Sequence, residues 1–277
     1  MFGRPDAVIA LAAAEFRSAL RGRVIGWFGA LFAALAIGIA VAGLGASGQL
    51  MVQGFGRTAV SLLTLALYLL PLVGLTLGAS TFGAEDGGTE LLLAQPVPRG
   101  AVLAGRAAGL ALALLTVAVA GFGAAGIVVG LFAGIGGLGA YLAVLTGAAL
   151  VGLAGLSLGV LIGVLARRRT AAVGMALAAW LAIAVVYDLL AIAVLQLTGS
   201  GEPGPLLLGL LALNPIDGVR ALGLTALGAD VLLGPTGAAM QRLMGGGGGA
   251  AIVAGSLMLY LVAPLLGAAA VYRRRDF

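Results

Sequence analysis

The sequence predicts an all-α membrane protein, six transmembrane helices behind an amphipathic interface helix, with both termini cytoplasmic. Three observations predict it. Apolar residues make up 62% of the 277 and charged residues 9%, against about 45–50% and about 25% in ordinary soluble domains. Six apolar stretches reach the roughly 20 residues that cross a hydrocarbon core about 30 Å thick. The arginines gather on one side of those stretches. The same composition excludes a soluble globular enzyme, a disordered chain and a nucleic-acid binder. The net charge of +5 is spread over membrane loops and marks topology rather than a DNA-binding face.

The chain begins with a segment unlike the rest. Pro5 and Asp6 suit a helix start, since proline has no amide hydrogen to satisfy and the acid faces the positive end of the dipole. Val8, Ile9, Leu11, Ala12, Phe16, Ala19 and Leu20 then form an apolar stripe, with Glu15, Arg17, Arg21 and Arg23 as polar positions. Residues 5–23 therefore read as an amphipathic helix lying in the interface. The spans follow at 24–44, 59–82, 102–131, 138–165, 170–197 and 250–272, all within one domain, 1–277. The first is too late and too long for a signal-peptide core, so no cleavage is expected.

Orientation follows from arginine alone, because the chain has no lysine. One side holds twelve arginines: 4, 17, 21, 23, 99, 106, 167, 168, 169, 273, 274 and 275. The other holds three: 57, 220 and 242. Positive residues accumulate on the cytoplasmic side, which places both termini there.

Chemistry is bounded as sharply. Without cysteine or histidine there is no disulfide, no thiolate or imidazole metal cage and no Ser-His dyad. Without lysine the phosphate-loop pattern cannot occur. No catalytic residue, no metal site and no bound cofactor is expected on this chain.

Glycine is abundant, 48 residues, and in a bilayer small residues let helix backbones approach. Gly155, Gly159 and Gly163 lie four apart on one helix face, as do Gly74 with Gly78 and Gly105 with Gly109. The three-membered run marks a packing seam, within the bundle or between two copies. Gly245–Gly249 reads as a flexible loop before the last span.

Two segments outside the spans carry most of the remaining information. Residues 83–101 hold an acidic pair, Glu85 and Asp86, a glycine turn, then Thr89–Gln95 ended by Pro96 and Pro98. Proline stops a helix, so one or two cytoplasmic turns are expected, suited to a groove on another protein. Residues 198–249 are too long for a turn. Apolar runs at 206–213 and 219–227, broken at Asn214-Pro215, predict short helices lying at the outer interface. Asp217 and Arg220 are spaced to pair on one helical face. This segment reads either as a structural cap or as a docking platform. Asp188 lies inside the fifth span, where an acid costs about 2.5–3.5 kcal/mol. It either shapes a cavity or gating contact, or pins external helices, with Arg220 and Arg57 as candidate partners.

Glu85, Asp86, Gly88, Thr89, Leu91, Leu92, Pro96 and Arg99, with Glu90 among them, resemble a motif of the membrane subunit of export-type ABC transporters, the type-2 permease family. The resemblance covers nearly the whole chain. It implies that this short helix couples the bundle to a separate cytoplasmic ATPase subunit that holds ATP and Mg2+. Residues 46–50, 187–189 and 213–220 are further similar to permeases that serve maturation of nitrous oxide reductase. That similarity implies a homodimer in the cell inner membrane, a periplasmic repeat protein as partner, and support for a copper-sulfur centre. A generic exporter of a lipid, drug or polysaccharide shares every feature except these patches. Copper conduction itself fits poorly, since soft copper favours thiolate, thioether or imidazole. Transmission of conformational work, or passage of a non-metal such as a sulfur species, fits better. An intramembrane enzyme would need paired catalytic groups, and only Asp188 is clearly at membrane depth.

Overall fold

The computed structural model describes residues 4–45, 54–83, 98–134, 136–166, 168–197, 204–228 and 235–274. Among them every regular element is helical. The order is α1 (Arg4–Arg21), α2 (Arg23–Gly45), α3 (Gly54–Phe82), α4 (Arg99–Ala133), α5 (Leu138–Leu165) and α6 (Arg169–Leu181). A single π turn (Ala182–Val186) joins α6 to α7 (Tyr187–Leu197). Then come α8 (Gly204–Leu213), α9 (Pro215–Ala226), α10 (Pro235–Gly245) and α11 (Gly248–Arg274). Six of these segments are long and apolar enough to cross a membrane: α2, α3, α4, α5, the α6–α7 unit and α11. They match the six stretches read from the sequence, extended by a few residues at the ends.

The bundle is centred on α3 against α5, and glycine is the reason they approach so closely. A methyl group at Gly74 would lie 2.8 Å from the Leu156 amide nitrogen, and one at Gly78 2.6 Å from that of Val160. Reciprocally, one at Gly155 would lie 2.7 Å from Pro71 Cα and one at Gly159 2.8 Å from Leu75 Cα. The seam is therefore internal to one chain. Without a hydrophobic drive between helices in lipid, such backbone contact is what van der Waals association needs. Leu70 of α3 packs against Gly152 of α5, and Leu62, Leu67 and Leu70 are all fully buried.

Gly105 and Gly109 have a different use. They receive α1: added methyls would meet Leu11 Cβ at 2.7 Å and the Phe16 amide nitrogen at 3.0 Å. The amphipathic helix is thus docked on α4. Glu15 does not sit on its polar face as the stripe suggests. It turns inward to Arg106 of α4, Oε2 to Nε 3.0 Å.

The segment after α7 departs from expectation in depth. The apolar runs form helices α8 and α9, broken at Asn214-Pro215 as predicted, but they do not lie flat. They fold into a hairpin bent by 118°. Its corner reaches the level of Tyr68, Ile183 and Tyr260, near the mid-length of α3, the fifth span and α11. Apolar helices of this length fit a surface position or a re-entrant one equally well; the buried corner polar groups decide it. The glycine run is also not a flexible loop. Gly247, at φ +76°, closes a tight turn between α10 and α11, and Gly249 is pressed against the Leu243 carbonyl with no room for a side chain.

Candidate functional site

The polar groups of the half that carries the hairpin converge at its corner. Asn214 caps α9, its Oδ1 accepting from the Ile216 amide at 3.0 Å. Its Nδ2 donates to Asp217 Oδ2 at 2.9 Å and to the Ile183 carbonyl at 3.0 Å. Ile183 lies in the π turn, where the widened helix departs from the regular bonding pattern and leaves carbonyls for outside partners. Asn214 is 1% exposed, so each of these bonds replaces one that water cannot supply.

One turn on, Arg220 donates through Nη1 to Asp217 Oδ1 at 2.9 Å and through Nη2 to the Tyr68 hydroxyl at 2.8 Å. The same Nη1 lies 3.6 Å from Asp188 Oδ2. The guanidinium also sits 5.3 Å from the Tyr68 ring centre. Two carboxylates from different elements therefore share one guanidinium, which a planar fork of five donors can accommodate. Asp188 Oδ1 and Arg220 Nε have no hydrogen-bond partner among the described residues. An open cavity of about 390 Å3 borders Asp188, Asp217 and Arg220 between α7 and the hairpin, with Leu195, Leu207 and Leu224 as apolar walls.

The sequence reading named Asp188, Asn214, Pro215, Asp217 and Arg220, and the structure brings all five together. It missed their supports. Tyr187 donates to the Leu210 carbonyl at 2.8 Å, and Tyr260 to that of Leu213 at 2.6 Å. Trp180 donates to the Tyr68 carbonyl at 3.0 Å. The available signal was weak: aromatic residues with a polar tip at mid-span, where a buried hydroxyl or indole needs a partner.

Replacing Asn214 by alanine removes the cap and strands the Ile183 carbonyl. We expect a loss of about 1–3 kcal/mol, read as a lower Tm in detergent. Asn214→Asp keeps the cap but faces Asp217 with a like charge, and should do no better.

At the opposite end lies the frame of the segment expected to contact the ATPase. Glu85, Asp86, Gly88, Thr89, Glu90, Leu91, Leu92 and Pro96 lie outside the described residues; Arg99 opens α4. The segment leaves α3 at Gly83, where an added methyl would come within 2.9 Å of Ala172 Cβ on α6. Beside it, Arg106 donates to the Thr81 carbonyl at 3.2 Å and lies 5.3 Å from the Phe82 ring centre. Through Arg106 the end of α3 is tied to Glu15 of α1. Among the described residues no three metal-ligating side chains cluster.

Comparison with known proteins agrees with this layout. The family model for ABC-2 family transporter proteins matches residues 9–277. A protein named as a probable ABC transporter permease, NosY, from Stutzerimonas stutzeri is 33% identical over 283 aligned positions, covering 96% of this chain and 97% of the relative. One with the same description from Pseudomonas aeruginosa is 34% identical over 225, covering 79% and 82%.

Proposed function

We propose, from the premise that this chain belongs to the ABC-2 transporter family and is an ABC transporter permease subunit similar to NosY, that it transmits conformational work from a separate ATPase. The observation that carries this reading is the continuity of α3. Its inner end leads at Gly83 into the coupling segment, and Tyr68 near its middle binds Arg220 of the hairpin. The fourteen helical steps from Tyr68 to Phe82 span about 21 Å. Held along α5 by the glycine seam, α3 can carry a push at residues 83–101 to the polar cluster as a shift between packed, discrete arrangements.

In this reading two copies form the membrane body, in the cell inner membrane with both termini cytoplasmic. The partner ATPase subunits hold ATP and Mg2+ and grip Glu85–Arg99. The outer hairpin faces a periplasmic repeat protein. The complex serves maturation of the copper-sulfur centre of nitrous oxide reductase. The open apolar faces of α2 (Trp27, Leu31) and α7 (Leu189, Leu190, Ile192) are free for the second copy or for lipid.

The test is Glu85→Ala with Asp86→Ala in the complete complex. ATP hydrolysis by the ATPase should persist but lose its dependence on the permease. The reductase should accumulate at least tenfold less of its copper-sulfur centre, measured by copper content and activity. Normal reductase maturation in a strain lacking this permease would instead favour a generic exporter. Robust copper uptake by vesicles holding only this subunit and its ATPase would defeat the force-transmitting reading.

A further inference from the structure

The charges at the hairpin corner do not balance. Asp188 and Asp217 face a single cation, Arg220, and no other charged side chain among the described residues lines the cavity beside them. The stretches that flank the hairpin in sequence, 198–203 and 229–234, contain no basic residue. Arg57 stands eleven helical steps from Tyr68 along α3, about 16 Å. Arg242 of α10 lines no part of the cavity, to which that helix adds Met240. The other titratable groups around the cluster are phenols, which add no charge. Tyr68 of α3 receives Arg220, while Tyr187 of α7 and Tyr260 of α11 donate to carbonyls of α8. Tyr141 of α5 is bonded to the Phe122 carbonyl, and α8 has no titratable side chain. A surplus negative charge thus stands against the apolar, partly exposed walls of Ile192, Leu195, Leu210 and Leu224, where it is costly.

Hydrogen bonds show where the imbalance lies. Both oxygens of Asp217 are engaged, Oδ1 by Arg220 and Oδ2 by Asn214. Asp188 accepts no hydrogen bond among the described residues. Arg220 Nη1 stays 3.6 Å from its Oδ2, and its Oδ1 is buried without a partner. Yet the Asp188 carboxyl lies in hydrogen-bonding contact with that of Asp217. Two ionised carboxylates offer acceptors only and cannot bond to each other. One proton between them supplies the missing donor and cancels the surplus charge. Water cannot reach the buried Oδ1. A metal cation needs several oxygens at once, and the described residues bring no three metal-ligating side chains together. A proton needs no room.

We propose that Asp188 and Asp217 form a proton-binding site, holding one proton between them beside Arg220. The proton belongs to the pair rather than to either acid. It joins α7 to α9, so drawing the hairpin away from the fifth span separates the two carboxyls and releases the proton into the cavity. Hairpin position and proton occupancy are linked, each biasing the other. The site needs neither the ATPase nor the reductase, so its failure leaves the permease reading standing.

The composition makes the test clean. The chain has no histidine and no cysteine, so from about pH 5.5 to about 7.5 no side chain titrates at its ordinary value. Tm of the full-length permease in neutral detergent is followed across that window at fixed ionic strength, in sodium and in choline buffers. Acids of the unfolded chain lose their protons near about pH 4, while the folded pair keeps one, so stability falls as pH rises. The parent should lose several degrees of Tm across the window. D188N sets a neutral donor beside Asp217 in the proton's stead. Its Tm should be flat and should match or exceed the parent at the upper end. D6N, exposed on α1, should keep the parent profile. Infrared spectra at the lower pH should show a protonated carboxyl that D188N lacks. A flat parent profile would overturn the proposal, as would an unchanged slope in D188N. A D188N loss of Tm at every pH would overturn it too, marking Asp188 as an ordinary ionised partner of Arg220. Dependence on sodium rather than on pH would give the place to a metal cation. Should D188N not fold, the parent's infrared band decides, and its absence overturns the site.

Discussion

Arg220→Met leaves two carboxylates facing each other at the hairpin corner, and the expected result is a permease that inserts but loses thermal stability and function. Removing one partner of a fully buried ion pair costs about 3–5 kcal/mol. Arg220 is 25% exposed, and Asp188 and Asp217 are 27% and 15% exposed, so about 2–3 kcal/mol is the appropriate scale after allowance for screening. Tm in detergent should fall by several degrees. Under the proposed function, reductase maturation should fall further than stability alone explains, because Tyr68 of α3 loses its link to the hairpin. The triple variant Arg220→Met, Asp188→Asn, Asp217→Asn removes every formal charge. It should recover most of the Tm without recovering maturation. Recovery of both would reduce the cluster to a stabilising brace and remove it from the transmission path.

Gly159→Leu should have the larger effect on folding. The new Cβ would stand 2.8 Å from Leu75 Cα, a backbone atom that cannot move aside without moving α3. Overpacking a well-fitted site costs about 1–3 kcal/mol, and this one lies where the central helix pair has no slack. The expected outcome is at least tenfold less folded protein in the membrane, assayed by detergent extraction and size-exclusion recovery. Gly174→Leu, on the open face of α6 with nothing within 4 Å of its added Cβ, is the control and should express as the parent does. Equal losses at the two positions would show that the seam is not specific.

How much of this was legible depended on how strongly each residue constrained its surroundings. Lipid imposes a length and an apolar content on every span, so all six were readable. Asp188 was readable because an acid at that depth must find a partner, and the spacing of Asp217 and Arg220 gave their pairing. The depth of the hairpin was not, since Leu206–Leu213 is equally apolar in either position. Tyr68 was not, because a tyrosine at mid-span looks the same whether its hydroxyl serves an arginine or a nearby carbonyl. The inward turn of Glu15 was hidden by the helical stripe that seemed to place it with Arg17 and Arg21.

The π turn at Ala182–Val186 has one more consequence. A wider turn accommodates a surplus residue, so everything beyond it is phased by that surplus. Regularising the turn with its full residue count would swing Asp188 by about 100° around the axis, taking its carboxylate away from Arg220 with no change in composition or hydropathy. Deleting one residue between Ala182 and Val186 would instead take up the surplus, restore an ordinary screw and leave Asp188 facing Arg220. The fifth span is thus a counted ruler as well as a greasy rod, with its spare residue stored at the very place where its sequence looks most interchangeable.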